Sequence, residues 1–141
     1  MGLDAVVYRG ARNVAEALGN DHFDVEPQTG EVMAKPGVGS SIPHALITAI
    51  DRRLGNIGHI DWLREQLEPI LSDQDSVILK DIIYSGSHCG DAIRPDKFSK
   101  LRIELELLKK RPIHEDVHSF VVALEELVQA GEAEGNPIVF T

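Results

Sequence analysis

Along the chain the spacing of apolar positions changes several times, and each change predicts an element. Leu3 to Tyr8 ("LDAVVY") is a short, β-branched run between Gly2 and Gly10, the pattern of a buried strand rather than a helix. "ARNVAEALG" follows as a short helix ended by Gly19. In "FDVEPQTGEVMA" two extended pieces flank Pro27 to Gly30, where proline and glycine supply turn geometry, so a hairpin is expected. "KPGVGSS" is dense in chain-breaking residues and reads as an exposed connector.

The next two segments read as helices. Ser41 is placed to cap the first and Pro43 to sit in its first turn, with Ile42, Leu46, Ala49 and Ile50 on one face up to Leu54, and Gly55 ending it. Asn56 caps the second, which carries Ile57, Ile60, Leu63, Leu67, Ile70 and Leu71 and should end or kink at Pro69. "DSVILKDIIYSG" fits a helical stripe through Val77, Leu79, Ile82 and Ile83, although its β-branched content also suits a strand; a short helix is the reading adopted. From Pro95 a helix follows with Phe98, Leu101, Leu105 and Leu108 inward and a basic end at Lys109 to Arg111 that complements the helix dipole. A last helix spans about His114 to Ala130 on Val117, Val121, Leu124 and Val128. The terminal "NPIVFT" reads as a strand that must pair, and Leu3 to Tyr8 is the natural partner. The expected architecture is α+β: five to six helices packed on a small sheet containing both terminal strands.

Composition narrows the function. The chain has 141 residues, which suits a single domain over 1–141, and it is 43% hydrophobic and 26% charged, which suits a folded core. Its 23 acidic and 14 basic residues leave a formal charge of −9, which repels nucleic acid and anionic lipid; the simpler reading of that charge is solubility, and the functional one is faster encounter with a basic protein. Apolar runs such as "VVAL" are far shorter than the roughly 18 residues of a membrane span. With one cysteine, Cys89, and no signal-peptide pattern at the start, a cytoplasmic location is expected.

Two strings carry candidate chemistry. "HEDVH" matches the H-E-x-x-H zinc signature: His114 and His118 are four apart and would share a helix face, and Glu115 is placed to activate a bound water. No third ligand stands at a diagnostic spacing among the other histidines or the later acids. His114 follows Pro112 by two residues, in a first turn, where Glu115 and Asp116 are explained by the helix dipole. "YSGSHCGD" places Ser87, His88, Cys89 and Asp91 among glycines, but it lacks the glycine spacing of a hydrolase nucleophile elbow and the Lys and Ser/Thr of a phosphate loop. Adjacent His88 and Cys89 point apart in most backbones. The simpler reading is a tight connector in which Ser85, Ser87 and Asp91 bond nearby amides; the functional one is a binding rim of Ser87, His88 and Asp91, or a loop at the mouth of a small-ligand pocket. Trp62, the single tryptophan, reads as a core anchor before a ligand platform.

The strings "MGLDAVVYR", "RRLGNIGHIDWLRE", "IIYSGSHCGD" and "EGNPIVF" together resemble a family of small, mostly uncharacterised bacterial proteins, some of which are assigned as immunity proteins of polymorphic toxin systems. The resemblance covers most of the chain and carries no catalytic residues. It implies a non-enzymatic protein that sequesters a toxin, needing no cofactor. The alternative is a zinc-dependent hydrolase using His114, Glu115 and His118.

Overall fold

The computed structural model of the chain describes residues 2–35, 42–71, 75–84 and 91–141. It is α+β. Four antiparallel strands form the main sheet in the order β4-β1-β6-β5, where β1 is Gly2–Tyr8, β4 Thr48–Asn56, β5 Ala92–Ile93 and β6 Ile138–Phe140. A separate hairpin pairs β2 (Phe23–Val25) with β3 (Val32–Ala34). The α-helices are α1 (Ala11–Leu18), α2 (His44–Ile47), α3 (Ile57–Leu71), α4 (Phe98–Lys109) and α5 (Glu115–Glu134), and a π-helix spans Ile78–Ile83.

The two terminal strands do meet: Ala5 pairs with Phe140 and Val6 with Val139. On the other side of β6, β5 pairs Ala92 with Val139 and Ile93 with Ile138. Strand alternation divides the side chains between two faces. Leu3, Ala5, Val7, Leu54, Ile93, Ile138 and Phe140 enter the main core with the inward residues of α3 (Leu63, Leu67, Leu71), α4 (Leu101, Leu105, Leu108) and α5 (Val117, Val121, Leu124, Val128). Val6, Tyr8 and Val139 lie together on the opposite face. The helical stripes expected for α4 and α5 are the ones buried, and that of α3 is buried at Leu63, Leu67 and Leu71 while Ile57, at its first turn, is 60% exposed. Gly131 lets α5 approach α4, since a Cβ there would stand 2.6 Å from the Phe98 ring. Gly135, with φ of 68°, ends α5 in the left-handed conformation that glycine adopts freely.

One expectation is overturned. The helix foreseen up to Leu54 is only α2, four residues long, and Thr48 to Asn56 is strand. The apolar positions Ala49, Ile50 and Leu54 follow a helical period and break strand alternation at Ala49 and Ile50, and tertiary pairing overrides that local pattern: β4 lies along all of β1, from Gly2↔Asn56 to Tyr8↔Thr48. Two shifts of register, each with one extra residue in β4, at Leu54 and at Ala49, bend the strand and turn both Ala49 and Ile50 toward the core. The predicted Ser41 cap and the Lys35–Ser41 connector fall almost wholly outside the described residues. Other expectations hold with refinements: Asn56 caps α3 by accepting the His59 N–H at 2.8 Å, Pro69 lies inside the last turn of α3, and α5 runs four residues beyond Ala130.

Candidate functional site

The zinc spelling falls where its residues serve the backbone. His114 is the N-cap of α5, with φ −61° and ψ 148°, and its Nδ1 accepts the Asp116 N–H at 3.0 Å. The same ring stands edge-on to Trp62, centroids 5.1 Å apart, while His59 stacks on the indole at 5.5 Å. Trp62 is half-buried and packs against the main core, so its anchoring role and its histidine contacts coexist. His118 is exposed on the first turn of α5 and donates its N–H to the His114 carbonyl at 3.0 Å. Glu115 and Asp116 are exposed acids at the positive end of the helix dipole. Among the described residues no three His, Cys, Asp or Glu side chains gather where a metal ion would be held.

Of the loop candidates, Ser87 and His88, with Cys89, lie outside the described residues. Asp91 is exposed immediately before β5, and its carbonyl accepts the Phe140 N–H at 2.8 Å. The structure therefore brings Asp91 to the β5 end of the sheet, far along the strand order from β4.

A buried carboxylate went unread in the sequence. Glu104 of α4 is 1% exposed and accepts the hydroxyl of Ser76, also 1% exposed, together with the Val77 N–H at 2.9 Å; Ser76 Oγ in turn accepts the Leu79 N–H at 3.1 Å. These bonds satisfy amides that the start of the Ile78–Ile83 helix leaves without intrahelical partners. Its role is structural. The sequence signal was its position three residues after Leu101 and four before Leu108, on the inward stripe.

The β2–β3 hairpin combines exposed apolar side chains with a run of acids. From Asn13 through Ala34 the chain has no lysine or arginine, while Glu16, Asp21, Asp24, Glu26 and Glu31 are acidic. Asp24 lies directly opposite Met33 in the ladder, and Val25 and Met33 are each 42% exposed beside these acids. The hairpin is anchored from beneath. Val32 packs with Val14 and Ile47 in a small second core; Glu26 Oε2 accepts the Gln28 and Thr29 amides at 2.9 and 2.7 Å to shape the turn. Gly30, at φ 78°, passes so close to Asn136 that a Cβ would strike its amide. Asn136 itself donates to the Tyr8 carbonyl at 2.8 Å. Glu134 accepts the Gly10 N–H at 3.2 Å and Asn13 Nδ2 at 2.5 Å, tying the start of α1 to the end of α5. The hairpin also reaches the sheet electrostatically, because burial, and then the nearby charge of Glu31, raise the Tyr8 hydroxyl above its ordinary pKa.

Elsewhere the charges pair off at the surface. Arg52 meets Glu126 at 2.6 Å, Arg102 meets Glu132 at 2.6 Å, and Lys109 meets Glu125 at 3.1 Å. Such exposed pairs contribute little to stability, but they neutralise those regions and leave the hairpin as a place where negative charge is uncompensated. No helix among the described residues is long and apolar enough to cross a membrane.

The described residues form an α+β fold that displays an acidic hairpin with Met33 exposed on its outward face. No family model matches the chain, and no match was found among curated proteins or solved structures.

Proposed function

We propose that the chain is a non-enzymatic binding protein that engages a basic protein partner through the β2–β3 hairpin, and that this partner is a bacterial toxin which the chain neutralises as an immunity protein. The observation that carries the binding reading is the exposure of Met33, opposite Asp24 on the outward hairpin face, within a stretch holding five acids and no lysine or arginine. Apolar anchors surrounded by a charged rim are the usual anatomy of a specific interface, in which the anchors supply affinity and the charges supply orientation and encounter rate. The hairpin is also held rigidly enough to present that surface, through Gly30, Asn136 and the small core at Val32. Pre-organisation of this kind lowers the ordering cost of association.

The toxin assignment draws its support from the resemblance carried by "RRLGNIGHIDWLRE", "IIYSGSHCGD" and "EGNPIVF", and from the net charge of −9, which suits a basic target such as a nuclease. In this reading the partner's site is covered, and no bond is made or broken by the chain. Ser87, His88 and Asp91 remain candidates for a second contact region. The test is co-expression with the protein encoded by the adjacent gene. Growth arrest by that protein, relieved by the wild-type chain and not by an Asp24→Lys, Met33→Ser double variant, is the expected outcome. A neighbour that neither arrests growth nor binds the chain removes the immunity reading.

A further inference from the structure

We propose that two copies of the chain pair antiparallel through the free edges of their β4 strands, joining two four-stranded sheets into one. β4 is the outermost strand of the main sheet, with β1 on one side and no strand on the other among the described residues. Asp51, Arg52 and Arg53 in its centre are exposed, and the Asp51 carbonyl is held by the Arg52 side chain, whose Nη1 donates to it at 2.6 Å. A concavity of about 470 Å³ runs over the outer face beside it, lined by Asp4, Val6, Tyr8, His44, Asp51 and Arg53 among others.

The sequence of this edge is complementary to itself. About a two-fold axis at Arg52, antiparallel pairing sets Asp51 opposite Arg53 of the second copy and Arg53 opposite its Asp51, two opposite-charge pairs on the outer face. Within one copy Arg53 already meets Asp4 across the ladder at 3.4 Å, whereas Asp51 makes no ion pair among the described residues. Pairing of two copies therefore gives Asp51 the cation it lacks and places Arg53 between two carboxylates. Arg52, which meets its own equivalent on the axis, is neutralised in each copy by Glu126 at 2.6 Å. An isologous contact of this kind needs one self-complementary patch only.

The extra residues at Ala49 and Leu54 limit the regularly paired run of β4 to Ile50 through Arg53, so the contact is short and the association weak and concentration-dependent. This surface lies on β4 and is independent of the hairpin. Sedimentation equilibrium of the full chain over a wide concentration range tests it. The wild type is expected to approach a dimer at high concentration, and Asp51→Lys and Arg53→Glu, each of which turns both cross-strand pairs into like-charge pairs, to weaken dimerisation about tenfold or more. An equimolar mixture of the two variants restores attraction at both positions: the introduced lysine of one variant faces the introduced glutamate of the other, and the retained Arg53 faces the retained Asp51. The mixture should dimerise at least as well as the wild type. Thermal melts verify that each variant folds. Hydrogen exchange provides a readout without substitution: amides within residues 50–53 gain protection as wild-type concentration rises. A wild type that stays monomeric throughout, a dimer indifferent to both single substitutions, or a mixture of folded variants that remains monomeric would overturn the proposal.

Discussion

Replacing Glu104 by alanine is the most demanding stability test of the fold described. The carboxylate is buried at 1% exposure and accepts two donors, the Ser76 hydroxyl and the Val77 N–H, neither of which has water to turn to. A buried donor left without a partner costs about 1–3 kcal/mol, and the truncation leaves both donors unsatisfied, so a loss of about 2–6 kcal/mol is expected. Against a total stability of roughly 5–15 kcal/mol for a domain, that is a large fraction. Glu104→Gln keeps the shape but presents an amide NH2 to one of two donors; Ser76 Oγ already accepts from Leu79, so relief there is partial and a loss of about 1–3 kcal/mol follows. Urea unfolding gives both values, and a double-mutant cycle with Ser76→Ala should show coupling of about 1–2 kcal/mol. Native-state hydrogen exchange should show the Val77 and Leu79 amides losing protection ahead of the α5 core. A Glu104→Ala variant within about 1 kcal/mol of wild type would refute the capping role.

Further outcomes are expected elsewhere. Gly131→Ala forces a methyl into the Phe98 ring and the Asn136 carbonyl, 2.6 and 2.9 Å from the ideal Cβ, and should cost about 1–3 kcal/mol in urea unfolding by overpacking the α4–α5 contact. His114→Ala removes the acceptor of the Asp116 N–H and should cost about 1 kcal/mol; because Trp62 is the only tryptophan and its ring touches His114, the same substitution should alter intrinsic fluorescence. Metal analysis of untagged protein is expected to find no stoichiometric zinc, since His114 and His118 gain no third donor among the described residues. The pH dependence has a sign at each end. Asp75 is held below the usual carboxylate range by hydrogen bonds from Lys80 and then Lys100, so its contribution is present above about pH 4 and is lost as pH falls through the lower folded value. Tyr8 is raised by burial and by Glu31, so its contribution is present below about pH 10 and is lost as pH rises through the higher folded value. Urea midpoints measured against pH should fall at both limits, with a shallower acid limb for Asp75→Asn.

Much of the fold was legible because its strongest signals were long and one-sided. The stripes of α3, α4 and α5 repeat over three or more turns, and the apolar ends "LDAVVY" and "NPIVFT" were each too short to stand alone. β4 was misread because Ile42, Leu46, Ala49 and Ile50 satisfy a helical period, the bulges that fit adjacent Ala49 and Ile50 to a strand leave no local signal, and the deciding interaction, pairing with β1, is distant in sequence. β5 is two residues long and exists through its pairing with β6, which leaves almost no local signal. The candidate site was less legible. "HEDVH" attracted attention as a spelling, yet backbone geometry puts His114 on a cap and not within the helix. The acidic hairpin was readable as a stretch without basic residues, but the exposure of Met33 follows from which hairpin face meets Val14 and Ile47, a tertiary fact. Glu104 looked like an ordinary charged helix residue because a single chain position does not announce the distant amide it caps.

The most direct measurement of the binding reading is capture of basic proteins from a cell lysate on the immobilised chain, comparing wild type with the folded Asp24→Lys, Met33→Ser variant at increasing salt. Selective retention of one partner by the wild type, faster to release as salt rises and lost in the variant, is the expected result. Retention of the same partner to the same extent by both proteins would contradict a role for the hairpin, and failure of the wild type to retain any partner would contradict the binding function itself.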